Sequence, residues 1–142
     1  MKDNLIKLKG HTACKGIGEG EALVCRKPFM FLSYVDMKSG LVHAKDHELE
    51  GKNVKGKILV SPCGCGSTGE EPSLLLLKEA GVAPKALIIG SIVYLPGVIG
   101  AILAEIPMVY GFDRDALKLI ETGDLVKVDA NEGIIEVSKS EP

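Results

Sequence analysis

A strand that runs directly into a glycine loop and then a helix is the strongest constraint in this sequence. Lys57 to Ser61 (KILVS) carries three consecutive apolar residues, Pro62 to Gly69 (PCGCGSTG) is rich in glycine, and Leu74 to Leu77 is a second apolar run. A short apolar run bounded by turn residues reads as a buried strand, and Pro72 to Ala80 reads as a short helix stopped at Gly81. A chain built around that unit needs a sheet with helices packed on it, which places it in the α/β class.

The flanking segments extend this pattern. Apolar runs at Leu5 to Leu8, Ala22 to Cys25, Phe29 to Leu32 and Leu41 to Ala44, separated by glycines or charged turns, predict hairpins ahead of Lys57. Beyond Gly81, Ala86 to Ile89 reads as a buried strand, Ile99 to Ala104 as a helical turn and Met108 to Tyr110 as another strand. Asp113 can cap a helix through Ile120 that ends at Gly123. Leu125 to Val128 and Ile134 to Val137 predict a hairpin across Asn131-Glu132-Gly133. Together these pieces predict a single mixed β/β/α domain over 1–142, part barrel-like and part layered sheet with flanking helices, with 138–142 as a tail.

Composition removes several function classes. Seventeen Lys plus Arg against nineteen Asp plus Glu give a net charge of -2, with both signs scattered, so no basic footprint for nucleic acid or anionic lipid is visible. Ala86 to Phe112 is the longest apolar stretch, but Gly90, Pro96, Gly97, Gly100, Glu105, Pro107 and Gly111 interrupt it, which argues against a membrane span. Met1 to Lys9 alternates charged and apolar residues without the apolar core of a secretion signal, so the expected setting is the cytoplasm. Cys14, Cys25, Cys63 and Cys65 are then expected as thiols, and Cys63-Gly64-Cys65 alone is too few ligands for a metal site within this chain.

The glycine loop is the segment that asks for a chemical explanation. Glycines let backbone N–H groups approach an anion, and a helix start adds further donors. Ser67 and Thr68 stand at that junction, where two readings are open. Either residue can serve as a helix N-cap. Alternatively, backbone donors stabilise an alkoxide on Ser67, which then acts as a base. Glu70 and Glu71 follow, where acidic residues suit the first helical turn. The loop lacks the Gly-Lys-Ser/Thr ending of a nucleotide-binding P-loop.

Other candidates have simpler readings. His43 and His47 share the spacing of a helical metal pair, but their charged surroundings lie between β-like segments, so they and His11 are expected in solvated or hydrogen-bonded roles. Gly16, Gly18 and Gly20 imitate a nucleotide loop without its strand-then-helix context. Cys63 and Cys65 are expected as small buried or turn residues, Cys14 and Cys25 as core, and Tyr94 and Tyr110 as core aromatics. The run Ile92 to Ala104 is either core or a docking face for another chain.

Gly64-Cys65-Gly66-Ser67-Thr68 resembles the glycine-cysteine-glycine-serine-serine loop on the swivelling domain of aconitase-family enzymes. The likeness to the small subunit of the aconitase X group spans most of the chain. It rests on Gly20-Glu21-Ala22-Leu23-Val24, Val35-Asp36 with Gly40, His47 with Leu49 and Gly51, and Val54 with Gly56-Lys57-Ile58-Leu59-Val60. Gly66-Ser67-Thr68, Gly81-Val82-Ala83-Pro84 and Ile106-Pro107-Met108-Val109 complete it. That group includes archaeal phosphomevalonate dehydratases, which serve isoprenoid synthesis, and bacterial cis-3-hydroxyproline dehydratases.

The resemblance implies a swivelling domain that closes over an active site shared with a larger catalytic subunit, which holds the [4Fe-4S] cluster. It implies a hydro-lyase active only with that partner, Ser67 as proton acceptor, and Gly66 and Thr68 beside the substrate. The implied substrate is a small phosphorylated hydroxy acid, mevalonate 5-phosphate. A 3-hydroxyproline or other hydroxy-acid dehydratase, and a non-catalytic phosphate-binding or assembly module, are the alternatives. The sequence departs from its relatives at Cys65, where they carry a basic residue, and at Ser33-Tyr34, where they carry a glycine pair. Aconitases have Arg, Glu and His where Gly69, Glu70 and Glu71 stand.

Overall fold

A computed structural model of the chain describes residues 5–63, 70–92 and 95–140. In chain order its elements are β1 (Leu5–Lys9), β2 (His11–Cys14), β3 (Ile17–Val24), α1 (Phe31–Tyr34), β4 (Ile58–Cys63) and α2 (Glu70–Glu79). They continue with β5 (Ala86–Ile92), α3 (Leu95–Ala104), β6 (Met108–Tyr110), α4 (Arg114–Leu117), β7 (Leu125–Asp129) and β8 (Ile134–Ser138).

Among the described residues the strands form one mixed sheet in the order β1-β8-β7-β3-β4-β5-β6-β2. β3 joins its two halves. Ile17 to Glu21 pairs antiparallel with β7, and Ala22 to Val24 pairs parallel with β4. β4, β5 and β6 continue the parallel part, so the C-terminal ends of β3 to β6 lie along one edge.

Strict alternation explains the two-sided core. Leu23, Leu59 and Leu87 face one cluster, which also holds Leu74 and Leu77 of α2 and Ala101 and Ala104 of α3. Ala22, Val24, Ile58, Val60, Ala86 and Ile88 face the opposite cluster, with Val126, Val128, Ile135 and Val137 of the closing hairpin. Parallel strands buried on both faces read as continuous apolar runs. The layers are therefore antiparallel sheet, parallel sheet and helices, the expected β/β/α arrangement.

Local signals act as expected at several ends. After α2, Val82 N–H donates to Leu77 O (2.9 Å) and Gly81 N–H to Lys78 O (3.0 Å), with Gly81 at φ 77°. This is a Schellman stop, which glycine favours. The β7–β8 hairpin closes as predicted, with Asp129 opposite Ile134.

Other expectations are corrected. The early strands do not make hairpins with one another. β1 pairs with β8, β2 with β6, and β3 with β7 and β4. Of the run Phe29 to Leu32, Phe31 and Leu32 open helix α1, and Phe29 ahead of it packs edge-on against Phe31 (5.1 Å) and Tyr34 (5.5 Å). Leu41 to Ala44 makes only the isolated bridges Val35 to Val42 and Leu41 to Asn53. α3 begins earlier than expected, at Leu95, and α4 ends at Leu117 rather than Ile120. Asp113 does cap α4, accepting from Ala116 N–H at 2.7 Å. Past Leu117 the turn tightens, with Leu119 and Ile120 donating to carbonyls three residues back. Ser138 closes β8, and Ser140 N–H donates to Asp124. No helix of the described residues is long and apolar enough to cross a membrane.

Candidate functional site

β4 ends at Cys63 and α2 starts at Glu70, so the glycine loop leaves the sheet at the C-terminal edge of its parallel strands. Open α/β sheets bind ligands at that edge. The expected base Ser67, with Gly66 and Thr68, lies outside the described residues, as do Cys65, Gly69 and Tyr94.

The approach to the loop is built by a bulge. Ser61 pairs with Ile89, but Cys63 pairs with Ile92, so β5 carries one extra residue opposite Pro62. Pro62 has no N–H to give to a ladder and is tolerated at such an irregularity. A Cβ on Gly90 would press against the Pro62 carbonyl oxygen, so glycine permits the close approach.

A cavity of about 660 Å³ opens beside this edge. Pro62, Cys63 and Gly90 line it together with Cys25, which directly follows β3. Arg26, Arg114 and Lys118 bring three cations to its wall, and Glu121 brings one carboxylate. Arg26 is fixed: Nη1 donates to Leu117 O and Nη2 to Ile120 O, both at 2.9 Å. A guanidinium has five N–H donors, so this anchoring leaves others available. Glu121 is engaged by Lys139 Nζ at 3.1 Å. Among the described residues, Arg26, Arg114 and Lys118 make no ion pair with a carboxylate.

Glu48 holds the turn that presents Arg26. Its Oε1 accepts from Arg26 N–H (2.7 Å), Lys27 N–H (3.1 Å) and the Cys25 thiol (3.3 Å). His47 Nδ1 accepts from Leu49 N–H at 3.0 Å, and its ring packs against Phe29 and Tyr34. The hydrogen-bonded role expected for His47 is what the structure shows, while His43 lies exposed.

The remaining candidates are structural. Cβ atoms on Gly18 and Gly20 would approach Lys85 O and Gly56 O to 2.7 Å, so these glycines serve close backbone packing. Cys25 is buried, Cys14 and Cys63 are half-buried, and no disulfide joins them. Burial, and secondarily the charge of Glu105, pushes the Cys14 thiol up. Tyr110 is half-buried with its ring 5.4 Å from that of His11. α3 buries Gly100, Ala101 and Ala104 and exposes Leu95, Ile102 and Leu103. Among the described residues no three His, Cys, Asp or Glu are grouped to hold a metal ion.

Sequence reasoning singled out the loop and missed the cations. The spacing of Arg114 and Lys118, one helical turn apart, was the only local signal, and nothing in the sequence joins them to Arg26.

Comparison with known proteins agrees with this architecture. Residues 7–137 match the aconitase X swivel domain. A phosphomevalonate dehydratase small subunit from Methanosarcina acetivorans is 44% identical, over 94% of this chain and 92% of its own. One from Thermococcus kodakarensis is 42% identical, over 93% and 96%. The crystal structure of Thermococcus kodakaraensis aconitase X in its holo form superposes with a TM-score of 0.88 at 40% identity, covering 94% of this chain and 99% of that one. Sequence, layered fold and strand-edge loop together place the chain in the aconitase X swivel-domain family.

Proposed function

We propose that this chain is the small subunit of a two-chain dehydratase that converts mevalonate 5-phosphate to trans-anhydromevalonate 5-phosphate and water. The observation that carries the reading is 44% identity across 94% of the chain to a phosphomevalonate dehydratase small subunit. The departure of the glycine loop from the C-terminal edge of β4 supports it. The chain works as one domain over 1–142, in the cytoplasm, joined to a larger subunit.

In this reading Ser67, as alkoxide, takes the proton from the carbon beside the substrate carboxylate. The electrons of that C–H bond form the double bond as the hydroxyl on the neighbouring carbon departs and is protonated to water. Gly66 and Thr68 border the substrate. A [4Fe-4S] cluster supplies Lewis-acid assistance to the departing hydroxyl when bound. The larger subunit ligates that cluster.

The test is anaerobic co-purification with the larger subunit and measurement of mevalonate 5-phosphate loss. Wild type turns over and Ser67→Ala does not, while the complex stays assembled. Full activity in Ser67→Ala removes the base assignment and favours a capping role. A wild-type complex with an intact cluster that leaves the substrate untouched transfers the reading to 3-hydroxyproline or another hydroxy acid.

A further inference from the structure

We infer that the cavity walled by Arg26, Arg114 and Lys118 is an anion pocket that takes the phosphate of the substrate. The identity of the anion's carrier rests on the proposed function; the pocket itself rests on the geometry.

Three cations on one concave wall repel one another, and a fold gains nothing from that unless an anion joins them. Among the described residues no carboxylate forms an ion pair with any of the three, Glu48 bonding the backbone N–H of Arg26 rather than its guanidinium. Glu121, which lines the cavity, is held by Lys139 at 3.1 Å, and Lys139 is itself 2.6 Å from Asp124. A concave, partly apolar site also concentrates the field of its charges.

The arrangement is suited to a tetrahedral oxyanion. Arg26 is a planar fork held by two backbone carbonyls, so little freedom is lost when its remaining N–H groups meet oxygen. Arg114 opens α4 and Lys118 is its C-cap, and Arg26 binds the carbonyls of Leu117 and Ile120 on either side of Lys118, so the Arg26 head is tied to the end of the element that carries the other two charges. Pro62 and Cys63 line the same cavity, and Cys63 precedes Ser67 by four positions in the chain. In mevalonate 5-phosphate the phosphate is at the opposite end of the carbon chain from the carboxylate. A subunit that grips the phosphate and supplies the base therefore holds the substrate across its length.

Two measurements test this. In the isotopically labelled full chain titrated with inorganic phosphate, the amides of Cys25, Arg26, Gly90 and Lys118 are expected to shift together to saturation. The double variant Arg114→Gln, Lys118→Gln loses that saturation. In the assembled complex the same variant lowers kcat/KM for mevalonate 5-phosphate about 10- to 100-fold, chiefly through KM, as expected for lost charge-assisted bonds to a remote group. Both substituted side chains are exposed, so the fold tolerates them. Phosphate shifts scattered over the surface, or a double variant within about twofold of wild type, overturn the pocket. Saturable phosphate binding in a chain whose complex ignores mevalonate 5-phosphate supports the pocket and overturns the substrate assignment.

Discussion

Gly90 lies so close to Pro62 that a methyl group on the glycine would meet the Pro62 carbonyl oxygen. The contact sits at the bulge where β4 turns toward the glycine loop. Gly90→Ala is therefore expected to move backbone rather than a flexible side chain. The cost is about 1–3 kcal/mol, in the range of overpacked cores. Thermal denaturation of the variant checks the stability. Loss of activity in the complex beyond what the unfolded fraction explains checks the displacement of the loop.

Glu48 is the fastener of the Arg26 turn. Glu48→Ala removes the acceptor of the Arg26 and Lys27 N–H groups. Water replaces part of it at this exposed site, so the expected loss is about 1 kcal/mol. Amide exchange at Arg26 and Lys27 rises well above that of the core strands. Unchanged exchange there removes Glu48 as the support of the turn.

Asp124 is fully buried and bonded to Lys139 Nζ (2.6 Å), Glu121 N–H (2.8 Å) and Ser140 N–H (3.0 Å). Burial pushes its carboxyl up, but those bonds and the Lys139 charge outweigh it and hold the group below its ordinary value of 3.8. Burial works against the Lys139 charge as well, yet Asp124 and Glu121 hold that amine above 10.5. The Asp124 contribution is complete above 3.8 and is lost as pH falls through the lowered folded value. The Lys139 contribution is complete below 10.5 and is lost as pH rises through the raised one. Asp124→Ala is expected to cost about 3 kcal/mol, tempered by the solvent that Lys139 still reaches, and to flatten the acid limb of stability against pH. Urea melts across pH check both.

Glu105 occupies the left-handed position after α3, at φ 55°, where Ile106 N–H returns to Ala101 O at 2.9 Å. Glycine is favoured there, so Glu105→Gly is expected to stabilise by about 0.5–1 kcal/mol. It also removes one of the two influences that raise the Cys14 thiol. Alkylation of Cys14 then reaches half its maximal rate at a lower pH than in wild type, with burial keeping it above an ordinary thiol.

Much of the fold was legible where the physics is local. The stop at Gly81, the Asp113 cap and the β7–β8 hairpin each depend on residues a few positions apart. The pairing of β1 with β8 and β2 with β6 was not legible, because the partners lie about a hundred residues or more apart and no local turn signal joins them. Phe31 and Leu32 enter α1 rather than a strand, with Phe29 ahead of them packed against Phe31, Tyr34 and His47.

A β/β/α domain with a glycine loop between a buried strand and a helix is written into the linear chain, since alternation, caps and turn residues act over a few bonds. The sequence also carried the family likeness. That Arg26, Arg114 and Lys118 share one cavity wall emerges only on folding. In the linear chain their charges disappear into a net charge of -2 with both signs scattered. The fold brings Arg26, just past β3, to the carbonyls of Leu117 and Ile120 at the end of α4, and Coulomb interactions depend on that separation in space, not on distance along the chain.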